Sequence, residues 1–472
     1  MTRLSADAVV NASGEPAYEV TDGDVLRETL GLREDGGVTD GGPAWTGDGV
    51  GVAIVDSGIR TSGDLKQAQV THFYDFTDGG AEVPDFDDYG HGTHVAGLIG
   101  GTGQWSDNLF EGPASDARLI GLKVLDANGQ GYTSDVIAAI SFAIENRAAL
   151  GIDIINLSLG HPIFEPAASD PLVQAVEAAV AAGIVVVASA GNNGQSATGE
   201  VGYAGITSPG NAQSAITVGS VDTANTAMRG DDTVAAYSSR GPTWYDAYAK
   251  PDIVAPGHRL VAIAAKQSTL YDDHPAVRVE VHSSGLLFGD DAHGNAADYM
   301  RLTGTSMSAG VTSGVVALVL EASRAASGGM QLTPNAVKAV LQFTAIPLVG
   351  VDPLTQGAGG LNAVGAVRLA GAIDASAPEG AWWLGPPVAP VDIIAGATVS
   401  WAERIIWGDD LDESVVWSNR IIWGTRIIWG TDALGLSEGG QTLYGDQIVW
   451  SDRIIWGTLT SSPLQVTNIL ID

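Results

Sequence analysis

Three short segments carry side chains whose chemistry is complementary. Val52-Ala-Ile-Val-Asp-Ser-Gly58 places an aspartate at the end of an apolar run. Gly90-His-Gly-Thr-His-Val-Ala-Gly97 and Gly304-Thr-Ser-Met-Ser-Ala-Gly310 place a histidine and a serine where helical patterns begin. A serine hydroxyl is a weak nucleophile at neutral pH and needs a base within hydrogen-bond reach. Histidine suits that task because it titrates near neutrality and can hand the proton on to a leaving group. A carboxylate behind the imidazole fixes its tautomer and stabilises the imidazolium. Ser306, His91 and Asp56 are therefore expected to act as nucleophile, base and orienter. At a helix N-terminus Ser306 would also aim its own backbone N–H at a developing oxyanion. His94 shares a helical face with His91, but a metal pair at that spacing would need a third ligand.

Glycines wrap all three segments, and the chain order Asp, His, Ser is that of subtilisin. From roughly Trp45 to Leu369 the sequence resembles the subtilisin-like serine peptidase (subtilase) family. The resemblance implies an endopeptidase working through a Ser306 acyl-enzyme, with no cofactor in the chemistry. It implies that Asn192, in Ala188-Ser-Ala-Gly-Asn-Asn-Gly194, is the second oxyanion donor, with Asn193 the neighbour that could be mistaken for it. It also implies that Gly129, Gln130 and Gly131, with Ser158, Leu159 and Gly160, clamp a protein or peptide substrate as an added antiparallel strand. Backbone pairing of that kind tolerates many sequences, so broad specificity is expected. Ala188–Gly191, Gly202-Tyr203 and Ser208-Pro-Gly210 are candidate walls for the residue before the cleaved bond. His94 is structural by the same resemblance, as are Tyr237–Pro242 and Lys250–Gly257. Gly310 and His161 stand where the family usually has proline and glycine, and residues 265–298 are longer than in a minimal member. A structural calcium is expected of the family, and Asp85, Asp87 and Asp88 supply hard oxygens in one loop. The same acids read equally well as a solvated surface.

These side chains need a scaffold that brings distant segments together. Gly51–Val55, Leu119–Leu125, Ile152–Leu157, Ile184–Ala188 and Ala215–Val221 read as buried strands rich in Val and Ile. Helical patterns alternate with them. Asp170-Pro171 and Thr333-Pro334 are N-caps followed by a first-turn proline, and Gly183 stops the first of these helices. The small-residue run from Ser306 to about Ala326 reads as a buried central helix. The pattern predicts a three-layer α/β catalytic domain with a mostly parallel sheet over residues 45–373. Residues 1–44 are too short for the inhibitory, fold-assisting propeptide the resemblance implies. They are read as an N-terminal arm packed on that domain, and the chain as a mature form.

Residues 374–472 differ in composition. Prolines cluster first, and then Arg404-Ile-Ile-Trp-Gly408 recurs in variants starting at Ser414, Arg420, Arg426, Gln447 and Arg453. Three of these spacings are six residues, an even number, so a continuous strand would present each copy identically. A β-rich extension that buries its tryptophans is expected. An aromatic surface for polymer or cell-surface contact is the other reading.

Composition narrows the classes. The formal net charge is −33 and lysine occurs only at 66, 123, 250, 266 and 338. Such a surface repels nucleic acid and anionic membranes, and it suits adaptation to high salt or plain solubility. Cysteine is absent. No uninterrupted apolar run reaches the ~18 residues of a bilayer span, and no signal peptide is visible. Extracellular action is expected. Two other functions stay open: a surface or binding protein that acts through the tryptophan repeats, and an esterase or amidase on non-protein polymers.

Overall fold

In the main sheet, alternate residues along one strand feed two separate cores. Val52 and Ile54 enter one apolar cluster while Ala53 and Val55 enter the other, as the two-residue strand period requires. Ile154, Val185, Val187, Ile216 and Val218 join the first cluster, and Ile155, Leu157, Val186 and Ala188 the second. Both faces are therefore covered. The computed structural model describes residues 8–12, 15–16, 25–32, 44–196, 198–279, 299–377, 384–385, 388–403, 450–451 and 453–454.

The sheet has nine strands, and its central strands lie side by side in the order Ile216–Asp222, Val185–Ser189, Ile154–Leu157, Gly51–Asp56, Arg118–Lys123 and Val70–Asp75. All five of these pairings are parallel, and Ile253–Pro256 adds a further parallel partner to Ile216–Asp222. Antiparallel pairing is confined to two short edge strands, Thr233–Val234 and Ala81–Glu82. Helices Thr133–Glu145 and Pro171–Ala181 cover one face; His91–Gly100, Thr305–Ala326, Pro334–Thr344 and Ala363–Ala372 cover the other. The predicted three-layer domain is present.

Local signals set the helix ends. Asp170 Oδ1 accepts from the Leu172 and Val173 amides ahead of Pro171, and Gly183 takes a left-handed φ of 86° after the last turn. The Thr333 hydroxyl accepts from the Ala336 amide in the same way. The helix Thr305–Ala326 is long and apolar enough by composition to cross a membrane, but it lies almost wholly inside the fold. Its Gly310 sits against Val95 and Leu98 of the His91–Gly100 helix. A Cβ at this position would meet them at 3.4–3.5 Å, ordinary contact, so nothing in the packing demands glycine where the family resemblance led to an expected proline.

The packed unit runs past the expected boundary at residue 373. A hairpin of Val391–Ile394 and Ala397–Ser400 lies on the Ala363–Ala372 helix. Trp401 is buried in the first core, and its indole N–H donates to Asp392, which also receives Asn362 and pairs with Arg368. The Ala402 and Glu403 amides donate to Ala345 and Phe343. The Ile-Ile-Trp repeats lie outside the described residues, save for a short antiparallel pairing of 450–451 with 453–454.

Candidate active site

Asp56 ends its strand at the carboxyl edge of the parallel sheet, where open α/β sheets form their binding crevices. His91 is the first residue of its helix, and Nδ1 lies 2.8 Å from Asp56 Oδ1 and 3.0 Å from Oδ2. Glycine makes the approach feasible. A Cβ on Gly92 would sit 2.1 Å from the Gly58 carbonyl oxygen and 3.1 Å from Asp56 Cβ. Any side chain there would push the histidine helix off the aspartate strand.

Ser306 stands in the first turn of the Thr305–Ala326 helix, after the turn at Gly304. The Gly304 amide donates to the Gly257 carbonyl, and a Cβ on Gly257 would strike Ser308 Oγ at 2.0 Å. Thus the Lys250–Gly257 segment buttresses the serine turn, in line with its structural reading. Ser306 Oγ donates to the Ser158 carbonyl at 2.9 Å. His91 Nε2 is buried with no hydrogen-bond partner. The carboxylate–imidazole half of the expected triad is assembled, while the serine hydroxyl is turned to Ser158. Catalytic hydrogen bonds of this kind are commonly loose without substrate and tighten in the complex.

Asn192 is held beside the same turn. Its Oδ1 accepts from the Thr305 amide and the Thr305 hydroxyl, each at 3.0 Å. The Gly191 amide in turn donates to Thr305 Oγ1 at 3.1 Å. This fixes the side-chain amide next to the residue preceding Ser306. Asn193 points away, toward Gly205.

His94 is fully buried, and Nε2 lies 3.2 Å from the Leu260 carbonyl and 3.1 Å from that of Met300. Burial, aided by the neighbouring His91, pushes its pKa down to about 3. It is a neutral tie between its helix and the antiparallel strands Leu260–Ile263 and Tyr299–Thr303, which agrees with its structural reading. Among the described residues no group of three or more His, Asp or Glu side chains could hold a metal. The three acids considered for calcium are each spent on protein donors. Asp85 takes Thr61 and Gln67, and Asp88 takes the Lys123 ammonium at 2.6 Å. Asp87 accepts from Ser57, Tyr89, Gly90 and Thr93. They do not fit a calcium cage.

The expected substrate clamps carry a peptide strand, and it is the protein's own. Val9–Ala12 runs antiparallel to Gln130–Tyr132 on one side and to Leu159–Gly160 on the other. Val10 pairs with Gly131, Asn11 with both Gln130 and Gly160, and Ala12 with Leu159. The Ala12 amide donates to the Gly129 carbonyl at 3.1 Å. The Val10 side chain is wholly buried in the second core. Further on, Glu15 and Pro16 pair antiparallel with Thr303 and Leu302, just ahead of Ser306. Two pieces of the N-terminal segment thus pair with the expected clamps and with the strand that leads into the serine turn. Asp56, His91 and Ser306 are all fully buried. Within the N-terminal arm expected from sequence, residues 9–12 form a strand between the two expected clamps.

Of the candidate pocket walls, Ser208 pairs with His161, and neither Gly160, which faces the Ser208 carbonyl, nor Gly191, which faces the Thr207 and Ser239 side chains, has room for a Cβ. Gly202-Tyr203 is tied elsewhere, to Gly194 and to the Asp352 carboxylate. Thr269 and Leu270 of the long insertion donate to the Asp88, Ala127 and Tyr89 carbonyls, just ahead of the histidine helix.

A family model described as the subtilase family matches residues 47–368. The serine protease AprX of Bacillus subtilis (strain 168) is 37% identical over 331 residues, which cover 69% of this chain and 68% of the relative. Subtilisin DY of Bacillus licheniformis is 33% identical over 278 residues, 58% of this chain and 78% of that protein. Subtilisin E of Bacillus subtilis (strain 168) is 38% identical over 215 residues, 45% and 48% of the two chains.

Proposed function

The chain belongs to the subtilase family and is a serine endopeptidase, and from that premise we propose how its residues share the work. Ser306 attacks the substrate carbonyl. His91 takes the hydroxyl proton through Nε2 and later delivers it to the leaving amine, while Asp56 holds Nδ1. The Asn192 side-chain amide and the Ser306 backbone N–H receive the oxyanion. Water then repeats the sequence on the acyl-enzyme, so the net reaction is peptide-bond hydrolysis without a cofactor.

The observation that carries this reading is the 2.8 Å link between Asp56 and His91, with His91 Nε2 buried and unpaired on a helix that packs against the helix carrying Ser306. To meet that nitrogen, Ser306 Oγ leaves the Ser158 carbonyl. Substrates are extended proteins or peptides that replace Val9–Ala12 between the two clamps. Side chains contribute little to that pairing, which supports broad specificity. Extracellular action is proposed on the family likeness alone. Casein hydrolysis by the parental chain and by Ser306→Ala, with fluorophosphonate labelling in parallel, tests the assignment. Activity and label should both vanish in the variant; equal hydrolysis by the two proteins would overturn it.

A further inference from the structure

Asp87 makes no expected contact with substrate, yet its carboxylate ties together the carriers of two catalytic side chains. Oδ1 accepts from Ser57 Oγ at 2.9 Å, from the Gly90 amide at 2.7 Å and from the Tyr89 amide at 3.2 Å. Oδ2 accepts from the Thr93 amide at 2.8 Å and the Thr93 hydroxyl at 2.7 Å. Ser57 follows Asp56, and Gly90 and Thr93 bracket His91. The His91–Gly100 helix has only glycine at its N-cap and no cap from that residue's side chain. Asp87, 2% exposed, supplies the missing acceptor and places a negative charge at the positive helix end.

Ser57 extends the link. Its hydroxyl accepts from the Gly92 amide at 2.9 Å, and its own amide donates to Asp56 Oδ1 at 2.7 Å. The Lys123 ammonium holds the Ser57 carbonyl at 2.7 Å from the far side. A backbone bridge between Gly58 and Asp87 ties the aspartate segment to the Asp87 loop, and the Asp87 carboxylate carries that link on to the first turn of the histidine helix.

We propose that Asp87 is a positioning residue that sets the distance and angle of the Asp56–His91 pair by clamping Ser57 to the first turn of the histidine helix. The proposal rests on the catalytic reading of those two residues. In Asp87→Asn the volume is unchanged, but an NH2 group faces donors and the clamp opens on one side. Kinetics on a peptide anilide are read per active site, counted by fluorophosphonate titration. Because misplacement of about 1 Å can cost ~10²-fold, kcat per site should fall roughly 10- to 100-fold with KM within about twofold. The far-downfield proton resonance of the His91–Asp56 hydrogen bond should shift or broaden. Ser57→Ala, a milder break in the same link, should change kcat in the same direction and carries the test if Asp87→Asn does not fold. Asp85→Asn, which removes a neighbouring carboxylate bound to Thr61, should leave kcat unchanged.

Parental kcat per titrated site in Ser57→Ala, with the downfield resonance unmoved, would overturn the proposal. It would do so even if the melting temperature dropped, since lost stability alone reduces the number of sites and not their rate. Absence of label in the parental protein would instead remove the catalytic assignment beneath it.

Discussion

Asn192 and Asn193 are adjacent and chemically identical, yet only Asn192 has its oxygen fixed by Thr305. Asn192→Ala should therefore lower kcat about 10²- to 10³-fold with little change in KM, a range carried over from the oxyanion asparagine of subtilisin. Asn193→Ala, assayed alongside, should stay close to parental. A second residue-scale prediction concerns Lys250. Lys250 and Lys338 share the Asp252 carboxylate, at 2.8 and 2.9 Å, and all three are buried. Burial pushes the Lys250 ammonium down to about 7, with Asp252 opposing and Lys338 adding to the shift. A lysine whose pKa is lowered in the folded state binds fewer protons there than in the unfolded chain. Its cost is fully present below about pH 7 and is relieved as pH climbs toward 10.5. Unfolding measured from pH 7 to 10 should show the parental protein gaining on Lys250→Met, by at most about 1.4 kcal/mol per pH unit. A constant difference across that range would refute it. At this scale the motifs around Asp56, His91 and Ser306 were legible, because each role demands one residue type. Asp87 was visible as an acid, read as a calcium ligand or a solvated surface group, but its clamping role was not, since its partners at Ser57 and Thr93 are contacts that composition does not reveal.

Among the elements, the strand Val9–Ala12 has the largest consequence. Burying the valine side chain is worth about 1.5–3 kcal/mol and each backbone hydrogen bond about 0.5–1.5 kcal/mol. Ordering four residues costs about 1–2 kcal/mol apiece. Gain and cost are of similar size, so a substrate can displace the strand. Val10→Asp places a carboxylate in an apolar core cluster and should release it. Initial rates on casein should rise by about tenfold or more, because a tethered strand competes at an effective concentration near millimolar. Unchanged rates, with the fold intact by circular dichroism, would mean that the strand does not obstruct substrate. The apolar Ala8-Val9-Val10 can be seen in the sequence, but not its destination: the partners lie more than a hundred residues away. The central strands and capped helices were legible for the opposite reason, because buried Val and Ile runs and the Asp-Pro and Thr-Pro starts act locally.

For the molecule as a whole, the catalytic unit ends later than the change in composition suggests. Trp401 closes the first core, and Asp392 gathers Asn362, Arg368 and the Trp401 indole. A chain ending after Glu403 should keep parental melting behaviour and casein activity. One ending after Asp374 should melt well below it or precipitate, because the core loses a buried tryptophan at a cost of about 3–5 kcal/mol. Equal stability of the two truncations would show the hairpin to be dispensable. The proline cluster after 374 hid this boundary, since it reads as a linker while the chain beyond it returns to the core.

The strand in the clamp also fixes how activity should begin. An occupant that belongs to the same polypeptide cannot be washed out, so dilution leaves its hold unchanged. The initial rate per enzyme molecule, at fixed substrate, should then stay constant as the enzyme is diluted. A rate per molecule that rises on dilution would instead mean that the occupant comes from a neighbouring molecule.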